Sequence, residues 1–191
     1  MKKKIDKLIL CTICVFLTQV VSPVWCNTSD QQKITSAVEV IKTYGFEKNI
    51  AVLQGDNYTH KPVKIIFKDL SEVNFSYSKF YAISANDDST GDLYILINND
   101  LKDSDVKALA CLILHESNHC KKNAADSVSE EMVAHTQEVM LYIRILEDDA
   151  TLKDRTDDRL VVRLNKLKKI YDDAIKAYIT GNTNYVNYLK E

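Results

Sequence analysis

Glycine and proline are scarce in this 191-residue chain, with four and two copies. That excludes collagen-like, low-complexity and loop-dominated architectures. Charge of one sign is not in excess either: 25 basic residues stand against 27 acidic ones, and no basic stripe runs along any segment. A chain of that kind is a poor match to nucleic acid, and none is expected as a partner. There is no internal repeat and no Gly-rich phosphate loop. Long apolar runs are lacking except for one, Leu8 to Val21, and it stands at the N-terminus.

That run follows Lys2, Lys3, Lys4 and Lys7 and leads into Ser22-Pro23-Val24-Trp25-Cys26, the layout of a secretory signal peptide over residues 1–26. A membrane anchor needs about 20 apolar residues, and Gln19 interrupts the run. The expectation is an exported protein, secreted or periplasmic, with no stable membrane anchor after cleavage. Cleavage takes the net charge from −2 to −5 and removes Cys11, Cys14 and Cys26. The remaining Cys111 and Cys120 fall on one helical segment about 13 Å apart, beyond disulfide reach. Both read as small buried hydrophobes, with a reactive thiol at Cys120 as the alternative.

The whole chain is 46 % hydrophobic and 27 % charged, as in an ordinary folded protein, and residues 27–191 suit one domain. A helix is expected over 28–44, with Ile34, Ala37, Val38 and Ile41 as its stripe. Residues 50–98 turn β-rich: Val63–Phe67, Phe80–Ile83 and Leu93–Ile97 read as strands, and Val73–Tyr77 as a weaker one. After Asp100 three helices follow: one from an Asp103 or Ser104 cap to about Lys121, one from Asp126 or Ser127 to about Leu146, and one over about 156–180. The fold class is therefore α+β: a small, mainly antiparallel sheet, then an αα-hairpin and a C-terminal helix.

The first of those helices carries His115-Glu116-Ser117-Asn118-His119, an H-E-x-x-H motif. Four residues make slightly more than one turn, so both imidazoles project from one face and can close on one metal ion, with Glu116 on its flank. Shuffling a chain with four His produces such a motif in roughly 0.3 % of cases, so it needs independent support. Zinc in a catalytic site takes three protein ligands and leaves a fourth position for water. An H-E-x-x-H-x-x-G-x-x-H continuation is absent, because Lys122 and Ala125 stand where Gly and His belong. The next helix offers Glu130 and Glu131.

If its inner face is the cluster of Val128, Met132, His135, Val139, Tyr142, Ile143 and Leu146, Glu131 lies on that face's flank and Glu130 nearly opposite. Glu131 is then the third ligand and Glu130 a solvated first-turn acid favoured by the helix dipole. A connection of four to six residues makes the two helices antiparallel. Glu131 then falls level with His119, and His135 level with His115.

His115-Glu116-x-x-His119 followed by Glu131-Met132-Val133-Ala134-His135 resembles the zincin metallopeptidases of the gluzincin branch, over about residues 103–146. The resemblance implies a Zn2+ cofactor held by His115, His119 and Glu131. It also implies peptide or protein substrates, hydrolysed by a zinc-activated water with Glu116 as general base. In that fold the strand before the motif helix, here Leu93–Asn98, presents an edge to an extended substrate. His135 stands where the family has an Asp that orients the first zinc histidine. It is open between such an outer-shell partner, a ligand and a core histidine. Tyr142, on the same helix, is a candidate oxyanion stabiliser, with a place in the core as the alternative. A catalytically inactive zincin-like binding or effector module is the alternative to an enzyme.

Overall fold

The computed structural model describes residues 28–122 and 127–180. The expected signal peptide lies outside the described residues. Helix α1 (Thr28–Thr43) buries Ile34, Ala37 and Ile41, as its period requires. Gly45, at φ +81°, turns the chain sharply into a short helix α2 (Glu47–Leu53), for which the sequence gives no separate expectation.

Three strands follow: β1 (Lys64–Lys68), β2 (Ala82–Asp87) and β3 (Asp92–Asn98), in the order β1-β3-β2. The sheet is small and mixed, built on an antiparallel hairpin. β2 and β3 form an antiparallel hairpin closed by Gly91 at φ +65°, whereas β1 runs parallel to β3. The weak strand expected at 73–77 is instead a pair of 3-10 turns, Leu70–Glu72 and Phe75–Lys79. Asp69 accepts from the backbone N–H of Ser71, and Asn74 from that of Ser76. These local bonds outcompete a ladder, and Phe75, 85 % exposed, shows that the alternation covers no core.

The strand expected to offer an edge does not. β3 is paired on both sides, which leaves β2 as the antiparallel edge. Asn98 N–H donates to the Tyr81 carbonyl, so the register turns the backbone groups of Ala82, Ser84 and Asn86 away from β3.

Helix α3 (Val106–His119) is the centre of the molecule. Every residue from Ala108 to Asn118 is buried, because α1, the sheet and two later helices surround it. Its cap is Asp105, just beyond the expected Asp103 or Ser104, and accepts from the Lys107 N–H. Cys111 and Cys120 are both buried and free. Burial, with Glu116 nearby, pushes the Cys120 thiol up to about 12, which removes the reactive-thiol alternative.

Helix α4 (Val128–Asp148), capped by Ser127, packs against α3 as the expected hairpin, and α5 (Arg159–Ile179) packs across both. Among the described residues no helix is long and apolar enough to cross a membrane.

The starts of α3 and α5 share one node. Asp158 caps α5 through the Leu160 N–H and also accepts the Asp105 N–H at 2.6 Å, while Arg155 pairs with Asp105. Asp158→Ala orphans donors at two helix starts at once. It is expected to cost about 1–3 kcal/mol in urea denaturation, more than removal of an ordinary exposed cap.

Candidate metal centre

His115 and His119 leave the last turn of α3 one above the other, their Nε2 atoms 3.3 Å apart. Glu131, in the first turn of α4, faces both. Its Oε2 lies 3.5 Å from His115 Nε2 and its Oε1 3.4 Å from His119 Nε2. Ligand bonds of 2.0–2.1 Å around a tetrahedral zinc put neighbouring donor atoms about 3.3 Å apart. The separation of the two imidazole nitrogens matches that edge, the two Glu131 oxygens each approach one of them, and with a single Glu131 oxygen all three donors lie within 4.8 Å of one another.

These residues form a zincin-like metal-binding cluster. Comparison with protein-family models, with curated proteins and with solved structures gives no match to the chain. The resemblance therefore rests on the motif and on this geometry.

The outer partners of the zincin-like cluster differ from expectation. Glu130 is not a solvated acid pointing away: its Oε1 sits 2.8 Å from His119 Nδ1 and its side chain is mostly buried. The error is one of helical phase. The buried positions of α4 are Ala134, Glu138, Val139, Leu141, Tyr142 and Ile145: Val139 and Tyr142 of the expected cluster are among them, but the middle of the face is turned by roughly 90° from the expected one. Val128 and Met132, counted as inner by their apolarity, are exposed. On the true face Glu130 and Glu131 straddle the middle. They embrace the two edges of one ring, Glu131 at Nε2 and Glu130 at Nδ1. Buried Ala134 between the helices leaves room for this approach.

The second difference is Glu138, which the sequence reading missed. It has no exposed surface, and its Oε2 lies 3.2 Å from His115 Nδ1, off the axis of an ideal hydrogen bond. The same oxygen lies 3.2 Å from His135 Nδ1. Arg163 of α5 clamps both Glu138 oxygens. Burial pushes the Glu138 carboxyl up, but Arg163 and the two imidazoles outweigh it and hold it well below the usual carboxylate range. His135 therefore does not orient His115 directly; Glu138 occupies that place. A signal for it existed: Glu138 stands seven residues after Glu131, two turns along the same face.

His135 is level with His115, as expected, with ring centroids 4.5 Å apart. Tyr142 is a core residue: it is fully buried and its hydroxyl donates to Asn165 Oδ1 at 2.7 Å. It takes no part in the centre.

Glu116 is buried beside the two motif histidines and accepts no hydrogen bond from the described residues. Burial pushes its carboxyl up, against the opposing effect of His115 and His119. Four carboxyl groups, Glu116, Glu130, Glu131 and Glu138, thus surround the imidazoles, with Arg163 on Glu138 and Lys121 near Glu130 as countercharges, a net acidic balance suited to a divalent cation. The Glu131 side chain is 52 % exposed, whereas those of His115 and His119 are buried, so the cluster opens to solvent on the Glu131 side.

A cavity of about 900 Å³ lies elsewhere, between α2 and the far side of Glu130, and none of the three donors lines it. The donor geometry, which sets where chemistry can happen, selects the cluster.

Two outcomes follow from the outer partners. Glu130→Ala should weaken zinc binding about 10–100-fold in a competition titration against a chromophoric chelator. Arg163→Met leaves Glu138 buried without its countercharge and should cost about 3–5 kcal/mol in denaturant unfolding of the metal-free protein.

Proposed function

We propose that the chain is a zinc-dependent metallopeptidase, exported through residues 1–26. The observation that carries this reading is the convergence of His115, His119 and Glu131, with donor atoms within 4.8 Å of one another, beside a buried, unbonded Glu116 carboxyl group.

His115, His119 and Glu131 would hold the zinc. Glu130 fixes the His119 ring through Nδ1, and Glu138 sits against the same atom of His115. The chemistry a bound zinc supplies is Lewis acidity: a polarised scissile carbonyl, and a water acidic enough to lose its proton near neutral pH. Glu116 takes that proton and delivers it to the leaving amine. Its raised affinity for a proton, from burial, suits a base that must also act as an acid.

The substrate is an extended peptide that adds to the free edge of β2, where Ala82, Ser84 and Asn86 offer their backbone groups. β2 is the edge strand that packs over α3, and Tyr81 at its start lies against Arg163, which ties this edge to the cluster. Exposure of Glu131 favours this reading over a zincin-like binding or effector module, which needs no open side.

The purified protein should bind about one zinc per chain. Glu116→Gln should keep the metal while peptide cleavage falls by about 10²–10⁴-fold. Wild type without metal after zinc supplementation would sink the reading; an active Glu116→Gln would remove Glu116 as the base.

A further inference from the structure

One imidazole beside the cluster has no role in the scheme above. His135 stands one turn beyond Glu131 on α4, as His119 stands one turn beyond His115 on α3. Each helix therefore presents a pair of donors to the same gap. The His135 ring centroid is nearer to that of His115, at 4.5 Å, than the two motif rings are to each other, at 5.2 Å.

Glu138 Oε2 lies 3.2 Å from Nδ1 of both His115 and His135, but only the His135 contact is aligned as a hydrogen bond. A carboxylate held ionised by Arg163 can only accept, so its contact with His135 Nδ1 fixes the proton there and leaves the lone pair on Nε2. That is the state of a histidine ligand braced by an outer carboxylate. The freed Nε2 faces the cluster: it lies 3.8 Å from Glu131 Oε2, against 3.5 Å for the His115 Nε2. Its approach to the other donors is longer, since His135 does not fall within 4.8 Å of His115, His119 and Glu131 together, so the ring must swing inward to reach a tetrahedral position. The side chain is 35 % exposed, which leaves it room to swing in and out.

A separate metal held by His115, His135 and Glu138 is a geometrical alternative, since their donors also cluster. It fails on charge, because Arg163 already engages both Glu138 oxygens.

We propose that His135 is a fourth, displaceable protein ligand that closes the zinc centre at rest and withdraws when a substrate carbonyl or another oxygen ligand enters. The inference rests on the metal centre proposed above and adds self-restraint to it. A small exported hydrolase with an open cluster would otherwise present its fourth position to any ligand.

The test is the cobalt(II)-loaded protein observed by proton magnetic resonance. Each ligating imidazole contributes one strongly shifted, exchangeable N–H signal. Wild type should show three, from His115, His119 and His135, and His135→Ala two. Acetohydroxamate, a bidentate oxygen ligand, should reduce the wild-type signals to two. In parallel, His135→Ala should lower zinc affinity at least about tenfold and raise acetohydroxamate affinity by a similar factor.

Two signals in wild type, or zinc affinity unchanged in His135→Ala, would overturn the fourth ligand while leaving the three-donor centre intact. Wild type that binds neither cobalt nor zinc would overturn both. The wild-type count decides the matter even if His135→Ala fails to fold.

Discussion

A carboxylate with no exposed surface governs much of this molecule. Glu138 cannot be buried as an ion without a countercharge, and Arg163 reaches it from α5 with both oxygens engaged. That requirement fixes how α5 lies across α4 and sets an acceptor against His115. Arg163 in turn sits over the Tyr81 ring at the start of the edge strand. One ion pair thus connects the last helix, the motif helix and the sheet margin.

The motif helix explains why this arrangement is needed. α3 is apolar and buried over most of its length, so its polar end cannot be left to water alone. Its imidazoles have two nitrogens each. The first turns of α4 supply carboxylates to both sides, Glu131 inward, Glu130 and Glu138 outward. The same short connection that makes the helices antiparallel makes this double engagement possible, since a longer one would allow α4 to start further from His119.

Much of the arrangement was legible in the sequence. The spacing of His115 and His119 fixed their common face, and the short link fixed the level of Glu131 and His135. What failed was the rotation of α4 about its own axis. Val128 and Met132 are apolar but stand on the solvent side, while the buried stripe includes Glu138, which an apolar count scores as outside. A hydrophobic wheel cannot register a buried charge whose partner is on another helix. Residues 73–77 failed for a different reason: alternating apolar residues mimic a strand, and the competing Asn74 bond is local and short-ranged. The parallel pairing of β1 was hidden because strand order depends on contacts distant in sequence, and α2 because seven residues give too few turns for a period.

The shared Asp105–Asp158 node has a consequence beyond stability. α5 carries no donor to the cluster, yet it is fastened to the start of α3 at one end and to Glu138 part-way along. Binding of an ion at the cluster would therefore be linked thermodynamically to the docking of α5, and the linkage would be reciprocal. Anything that loosens the last helix, at a distance from every ligand, would lower affinity for the ion by the same factor by which the ion tightens that helix.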